Sequence, residues 1–260
     1  MTRFEGQACL VTGAGRGIGA AIAHRMAEEG AGVAVCDLNE EGTHKVTEEL
    51  KAKGLKAIGI VCDAANLDQM RAAVAQVVKT YGRLDAMFNN AGVPCMAPLE
   101  QITEPQFHRI MGINAYSVVV GTQVAAEVMR PQGGGKIVNT CSSVAKVAIP
   151  GHVLYSATKY AVRGMTVGFA RELARYKILV NAICPGATET PLWNDIVEQY
   201  RAFGEEVSSE KIMEDCAVAA AMKRCAVPAD MVGAATFLAS SGANYITGQC
   251  LNVDGGMNFD

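Results

Sequence analysis

Aromatic residues are scarce in this 260-residue chain, at 6% with a single tryptophan. A core poor in large rings must be filled by aliphatic and small side chains. Half of the residues are hydrophobic and 27 are glycine, a composition that suits helices packed closely on a sheet. The chain is long enough to bury a sizeable core. It also lacks an excess of one charge: 23 Lys and Arg stand against 26 Asp and Glu, for a net charge of −3. That balance argues against a nucleic-acid partner, and no run of like charges reads as a tail. No uninterrupted apolar stretch reaches about 18 residues, so no membrane span is predicted. The opening "MTRFEGQACLVTGAG" has no apolar core followed by a small-residue cleavage site, and it is not read as a secretory signal. None of the nine cysteines forms a CxxC pair and their count is odd. Zinc is therefore disfavoured and no metal is expected. Several cysteines lie in apolar runs ("ACLV", "VAVCD", "IVCD"), where a reduced thiol behaves as a small hydrophobe. A reducing cytoplasm is the expected compartment.

Short β-branched runs alternate with amphipathic stretches. Strands are predicted at Ala8–Thr12, Val33–Asp37, Ala57–Cys62, Leu84–Asn89, Lys136–Cys141, Ile178–Cys184 and Gln249–Val253. Between them, "AAIAHRMAEEG" puts Ile22, Met26 and Ala27 on one helical face and stops at Gly30. "NLDQMRAAVAQVVKTYG" opens at an Asn N-cap and stops at Gly82. Strands alternating with such helices predict an α/β, doubly wound, Rossmann-like parallel sheet of about seven strands, with helices on both faces. Residues 1–260 read as one domain. One segment breaks the rhythm: from Pro185 to Val227 runs a long mixture of polar and apolar residues. Connections of that length are often lids or binding loops. A substrate lid is expected at about 187–227, against one or two surface helices without a role.

After the first strand comes "TGAGRGIG", Thr12 to Gly19, and then a helix. Gly13, Gly17 and Gly19 allow a tight turn, close backbone approach and close helix packing. The helix N-terminus behind them suits a pyrophosphate. The strand–loop–helix context is the one a dinucleotide-binding fingerprint requires. The second strand ends at Asp37, where an acidic side chain can accept hydrogen bonds from ribose hydroxyls and would repel a 2′-phosphate. Arg16 in the loop could answer a phosphate, but against Asp37 it is insufficient. NAD rather than NADP is expected. An ordinary helix N-cap role for Asp37 is compatible with this.

Near the middle, "YSATKYAV" sets Tyr155 and Lys159 four residues apart. On a helix these share a face, and a neighbouring ammonium favours a phenolate. The same spacing arises by chance in many helices, so the pair does not stand alone.

Together these pieces resemble the short-chain dehydrogenase/reductase family, over essentially the whole chain. "TGAGRGIG", "CDAAN", "NNAG", "GINAYSV", "IVNTCSS", "YSATK", "VNAICPGATETP" and "YITGQCLNVDGG" follow one another in the family's order. The resemblance implies that Tyr155 is the acid/base. It implies that Lys159 binds the nicotinamide ribose and favours the phenolate, and that Ser142, not Ser143, holds the substrate oxygen. Asn114 would hold a water in a proton relay. Gly13, Arg16, Gly17, Ile18 and Gly19 would cradle the cofactor with Asp37. Asp63 and Ala64 match the adenine site, and Asn90 the wall near the adenosine ribose. Pro185, Gly186, Thr188 and Thr190 match the segment around the nicotinamide carboxamide. The implied reaction interconverts a secondary alcohol and a ketone, with hydride passing to or from nicotinamide.

The motifs look especially like acetoin reductases, butanediol dehydrogenases and related polyol dehydrogenases. One departure stands out. The residue after the catalytic serine is often glutamine in the diol group and is Ser143 here. Pocket candidates are Cys95, Met96, Ser143, Val144, Ala145, His152 and Trp193. Met96 with Met222 would suit a bulkier alcohol such as a hydroxysteroid. His152 reads equally as a loop histidine, and Trp193 equally as packing for the lid. A NAD-binding sensor without catalysis is the alternative of another class. The resemblance also implies a homotetramer paired through helices near Glu104–Met129 and Leu154–Tyr176. The second of these carries Ala157, Ala161, Met165 and Phe169 on one side.

Overall fold

The structure is a computed structural model that describes residues 2–259. Its sheet is β1 (Ala8–Thr12), β2 (Gly32–Asp37), β3 (Ala57–Val61), β4 (Ala86–Asn89), β5 (Gly135–Thr140), β6 (Ile178–Pro185) and β7 (Cys250–Val253). All neighbours pair parallel, in the order β3-β2-β1-β4-β5-β6-β7. The central strands are buried on both faces, which is why they read as apolar runs rather than alternating ones. The seven predicted strands are all present, with ends shifted by up to two residues.

The helices are α1 (Gly17–Glu28), α2 (Glu40–Ala52), α3 (Leu67–Tyr81), α4 (Glu104–Met111), α5 (Ser117–Gln132), α6 (Val153–Leu173), α7 (Leu192–Ala202), α8 (Ser209–Ala219) and α9 (Pro228–Ala239). Helix α1 buries Ile22, Met26 and Ala27 in the core cluster it shares with α9 and the sheet. Helix α3 starts where the Asn66 side chain accepts from Gln69 N and stops at Gly82, which is left-handed at φ 79°. The stretch predicted as one helix over Glu104–Met129 is instead two. A π-helical turn, Gly112–Tyr116, joins α4 to α5 and buries Asn114. Such turns recur at functional sites.

Because every strand points the same way, the residues after β1 to β6 gather along one edge of the sheet. The strand order reverses between β1 and β4, and ligands of such sheets bind in the crevice there. Beneath that edge a buried polar chain ties sheet to helix. Asn89 Nδ2 donates to Asn139 Oδ1 (2.9 Å), and Asn139 Nδ2 donates to Thr166 Oγ1 of α6 (2.9 Å).

Residues 187–226 leave the sheet after β6 as a flap carrying α7 and α8. Its two ends are stitched together at a parallel bridge between Thr188 and Ala226. Ala226 N donates to Ala187 O and Glu189 N to Ala226 O, both at 2.8 Å. Ile196 and Val197 are the buried face of α7.

Candidate active site

The glycine loop is held by contacts from three strands. Asn90 Nδ2 donates to the carbonyls of Thr12 and Gly13 (3.1 Å each), and its Oδ1 accepts from Thr140 Oγ1 (3.0 Å). Thr12 Oγ1 accepts from the amides of Asn90 (3.0 Å) and Ala91 (3.1 Å). The approach is so close that a Cβ on Gly13 would lie 2.9 Å from Ala91 Cα. One on Gly19 would overlap the Gly13 carbonyl and lie 2.5 Å from Asn90 Nδ2. Arg16 caps α1 in extended conformation with no side-chain cap bond. Arg16 thus takes none of the first-turn amides at Gly17, Ile18 and Gly19, the kind of helix-start donors that suit a phosphate.

Asp37 ends β2, its carboxylate fixed by two backbone donors. Gly15 N gives to Oδ2 and Asn39 N to Oδ1, each at 2.9 Å. Asp63 sits at the corresponding place after β3, with Oδ1 accepting from Ala65 N (2.9 Å). Ala64 beside it packs against the core. After β6, Gly186 N donates to Val253 O (3.1 Å), and Thr188 Oγ1 donates to Gly186 O (3.0 Å). Thr190 Cγ2 comes up against Gly17 in the glycine loop. The predicted cofactor residues thus follow the ends of parallel strands along one edge of the sheet.

The second cluster forms where α6 faces the loop after β4. Lys159 is 4% exposed, and its ammonium donates to Thr140 O (2.9 Å) and lies 5.6 Å from the Tyr155 ring centroid. Asn114 is 1% exposed. Its Oδ1 accepts from Val93 N (2.8 Å), and its Nδ2 donates to Val93 O (2.9 Å) and to Thr158 Oγ1 (3.3 Å). Thr158 Oγ1 in turn donates to Tyr155 O (2.7 Å). A Cβ on Gly92 would lie 3.3 Å from Asn114 Oδ1 and 3.7 Å from Lys159 Nζ. The two side chains therefore converge at one point of that loop. Ser142, buried just after β5, caps a 3-10 turn, its Oγ accepting from Val144 N (3.3 Å). Ser143 is buried beside it. Under both, the Cys141 thiol donates to Lys159 O (3.2 Å). A hydrogen bond from Cys184 draws the Cys141 thiol down to about 7, with burial opposing and the Lys159 cation assisting.

The substrate candidates divide. Met96, 3% exposed, lies on the loop after β4, and its Cε is close to Gly151. His152 ends the same neighbouring loop. Its Nδ1 faces Pro150 O at 3.1 Å, and burial holds its pKa below the usual 6.5 against that carbonyl's upward pull. Trp193 Nε1 donates to Thr188 O (2.7 Å), so the indole is tied to the base of the flap. Met222 is 62% exposed and packs against Gly255 at the flap's far end. Four residues not among the sequence's site candidates help build the site: Thr12 and Thr140, which brace Asn90, Gly15, which braces Asp37, and Thr158, which links Asn114 to Tyr155. All four stand inside quoted motifs, Thr12 and Gly15 in "TGAGRGIG", Thr140 in "IVNTCSS" and Thr158 in "YSATK".

A glycine loop packed against Asn90, a fixed acid at the end of β2, and Asn114, Lys159 and Tyr155 brought together beside Gly92 fit the class of α/β oxidoreductases. The family model described as Enoyl-(Acyl carrier protein) reductase matches residues 13–258. A diacetyl reductase [(S)-acetoin forming] of Staphylococcus aureus is 40% identical over 253 residues, spanning 96% of this chain and 97% of that protein. Two solved structures superpose with a TM-score of 0.91. One is NAD+-bound xylitol dehydrogenase, 32% identical, covering 98% of this chain and 100% of that one. The other is an actinorhodin polyketide ketoreductase with NADPH, 35% identical, covering 97% and 98%. The chain belongs to the short-chain dehydrogenase/reductase family. It is an oxidoreductase of that family, acting on alcohols and ketones.

Proposed function

We propose that the protein is a NAD(H)-dependent dehydrogenase/reductase that interconverts a small diol or acyloin, or a polyol, with its ketone. The observation that carries this is the convergence of Asn114 Oδ1 and Lys159 Nζ beside Gly92, one helical turn from Tyr155. The buried ammonium of Lys159 has three donors, and Thr140 O takes one. What remains suits the hydroxyls of a nicotinamide ribose. When bound, the cofactor supplies or accepts the hydride.

The chain's own residues then manage the proton and the oxygen. Tyr155 gives a proton to the developing alkoxide in reduction and takes it back in oxidation. Ser142 donates to the same oxygen and stabilises its charge. Lys159 holds the phenol in a cationic environment, and Asn114 fixes the Val93 backbone that borders it. Gly13, Arg16, Gly17, Ile18 and Gly19 cradle the pyrophosphate. Asp37, Asp63, Ala64 and Asn90 border the adenosine half, and Pro185, Gly186, Thr188 and Thr190 the nicotinamide half. The preference for NAD rests on Asp37, whose carboxylate two backbone amides hold at the end of β2 and which would repel a 2′-phosphate bound there. Arg16, the loop's cation, is paired with Asp195.

Met96, Ser143, His152 and Trp193 are assigned to the substrate side. A bulkier secondary alcohol of hydroxysteroid type is the second reading, favoured by the buried, adaptable Met96 in that wall and by the likeness to a polyketide ketoreductase. The chain works as one catalytic domain in which residues 187–227 act as the lid. The cytoplasm is assigned on the nine free thiols; among the described residues, no helix is long and apolar enough to cross a membrane. A homotetramer is assigned on the exposed Val153, Tyr160 and Val167 of α6, to be checked by light scattering.

The test is an initial-rate panel with NADH and NADPH against diacetyl, acetoin, xylulose and oxo-steroids, and with NAD against the matching alcohols. Preference for NADPH defeats the cofactor assignment. Turnover confined to oxo-steroids selects the second reading.

A further inference from the structure

Helix α7 touches two walls of the groove with one of its faces. Asp195 and Gln199 are four residues apart and so lie side by side along it. Asp195 Oδ2 pairs with Arg16 Nη2 of the glycine loop at 3.3 Å. Gln199 Oε1 accepts from the backbone amide of Met96 at 2.7 Å. Met96 is buried on the loop after β4, and the next amide, Ala97 N, bonds to Gly151 O (3.0 Å). The flap is also held by its stitched base, by the buried Ile196 and Val197 of α7, by Thr190 against Gly17 and, at its far end, by Met222 N donating to Gly255 O (3.0 Å). Lifting α7 would break both side-chain contacts at once and take from the part-buried Met96 amide its side-chain acceptor.

We propose that Asp195 and Gln199 are positioning residues that make α7 a clamp between the cofactor loop and the substrate wall, so that both pockets open and close together. The inference rests on the reading that Arg16's loop takes the cofactor and Met96's loop borders the substrate. Neither residue touches reacting atoms. They act through Arg16 and Met96. A clamp differs from two independent contacts in one respect: loosening either end must loosen the other.

Amide hydrogen exchange at Met96 in the ligand-free protein reads this directly, since exchange follows the population of the opened flap. Asp195→Asn leaves the Gln199 contact intact and removes only the charge at the opposite wall. It is expected to raise Met96 exchange about two- to fivefold, the range for an exposed ion pair. Gln199→Leu is expected to raise it roughly three- to tenfold. Added salt screens the Arg16–Asp195 pair, so exchange at Met96 should rise with salt in the wild type and not in Asp195→Asn. A second readout is release of NADH by stopped-flow, followed through energy transfer from Trp193, the chain's single tryptophan and itself on the flap. Release should accelerate by similar factors in both variants. Unchanged Met96 exchange in Asp195→Asn overturns the clamp. Should Gln199→Leu unfold the flap outright, the isosteric Asp195→Asn still decides. If no variant, wild type included, binds NADH, the functional reading fails, while the exchange measurement judges the clamp on its own.

Discussion

Replacing Asn114 with alanine should cost both stability and rate, and the first cost can be worked from contacts. The side chain is 1% exposed and makes two short bonds to the Val93 backbone, at 2.8 and 2.9 Å, and a longer one to Thr158 at 3.3 Å. Alanine removes all three and leaves the Val93 amide and carbonyl without those partners. A buried group left unsatisfied costs about 1–3 kcal/mol. Val93 is half-buried, so water repays part of that, and the sum comes to about 2–4 kcal/mol. With a urea slope of about 2 kcal/mol/M, the midpoint falls by about 1–2 M. The variant should still fold, given stabilities of about 5–15 kcal/mol for native proteins. Its turnover should fall by about a hundredfold, because the loop bordering Tyr155 and Lys159 loses its fixed position. Urea titration at fixed protein concentration, with initial rates on the folded fraction, checks both. A midpoint shift under about 0.3 M would mean that these bonds carry little, and the account of the π turn as a brace would be wrong.

Tyr155→Phe should abolish nearly all turnover while NADH still binds, measured by fluorescence titration. Retention of most turnover would remove the proton-transfer assignment. Asp37→Ser should shift the ratio of kcat/KM for NADH over NADPH by at least about tenfold toward NADPH, since a carboxylate no longer opposes a 2′-phosphate; an unchanged ratio refutes the cofactor reading. Gly19→Ala should destabilise the fold by about 1–3 kcal/mol and weaken NADH binding, because its Cβ meets Gly13 and Asn90; thermal melts and titration decide. His152 is held below its usual 6.5 by burial, so the unfolded chain takes up its proton first as pH drops. Stability contributed by the neutral ring is therefore present above about 6.5 and is lost as pH falls below it. Urea midpoints at pH 7.5 and 5 should fall further for the wild type than for His152→Asn, and an equal fall would reject that burial effect.

The strands were legible because two-sided burial writes them as apolar runs, as in "ACLVT" and "VAVCD". Helix α3 was legible because its cap and stop residues, Asn66 and Gly82, act locally. The break at Gly112–Tyr116 was not, since an apolar period cannot distinguish a π turn from the α-helical turns on either side. The candidate site residues were proposed from motif order. Their bracing was not: Asn114 to Val93 and Thr140 to Asn90 join segments 21 and 50 residues apart. The same holds for Gln199, which bonds a backbone amide 103 residues away and leaves no mark in the sequence around it. For Trp193, two uses were open on sequence. The bond from its indole to Thr188 O, which fixes the ring at the base of the flap, is compatible with both.

The stitched neck at Thr188 and Ala226 has an evolutionary corollary. A segment that departs and returns through one pair of adjoining backbones can lengthen, shorten or be swapped wholesale without touching the registers of β6 and β7, and loop length itself adds little entropic penalty. Descendants of such a scaffold can acquire new appetites by trading one cassette at a single joint, while the sheet and the glycine loop beneath are inherited intact.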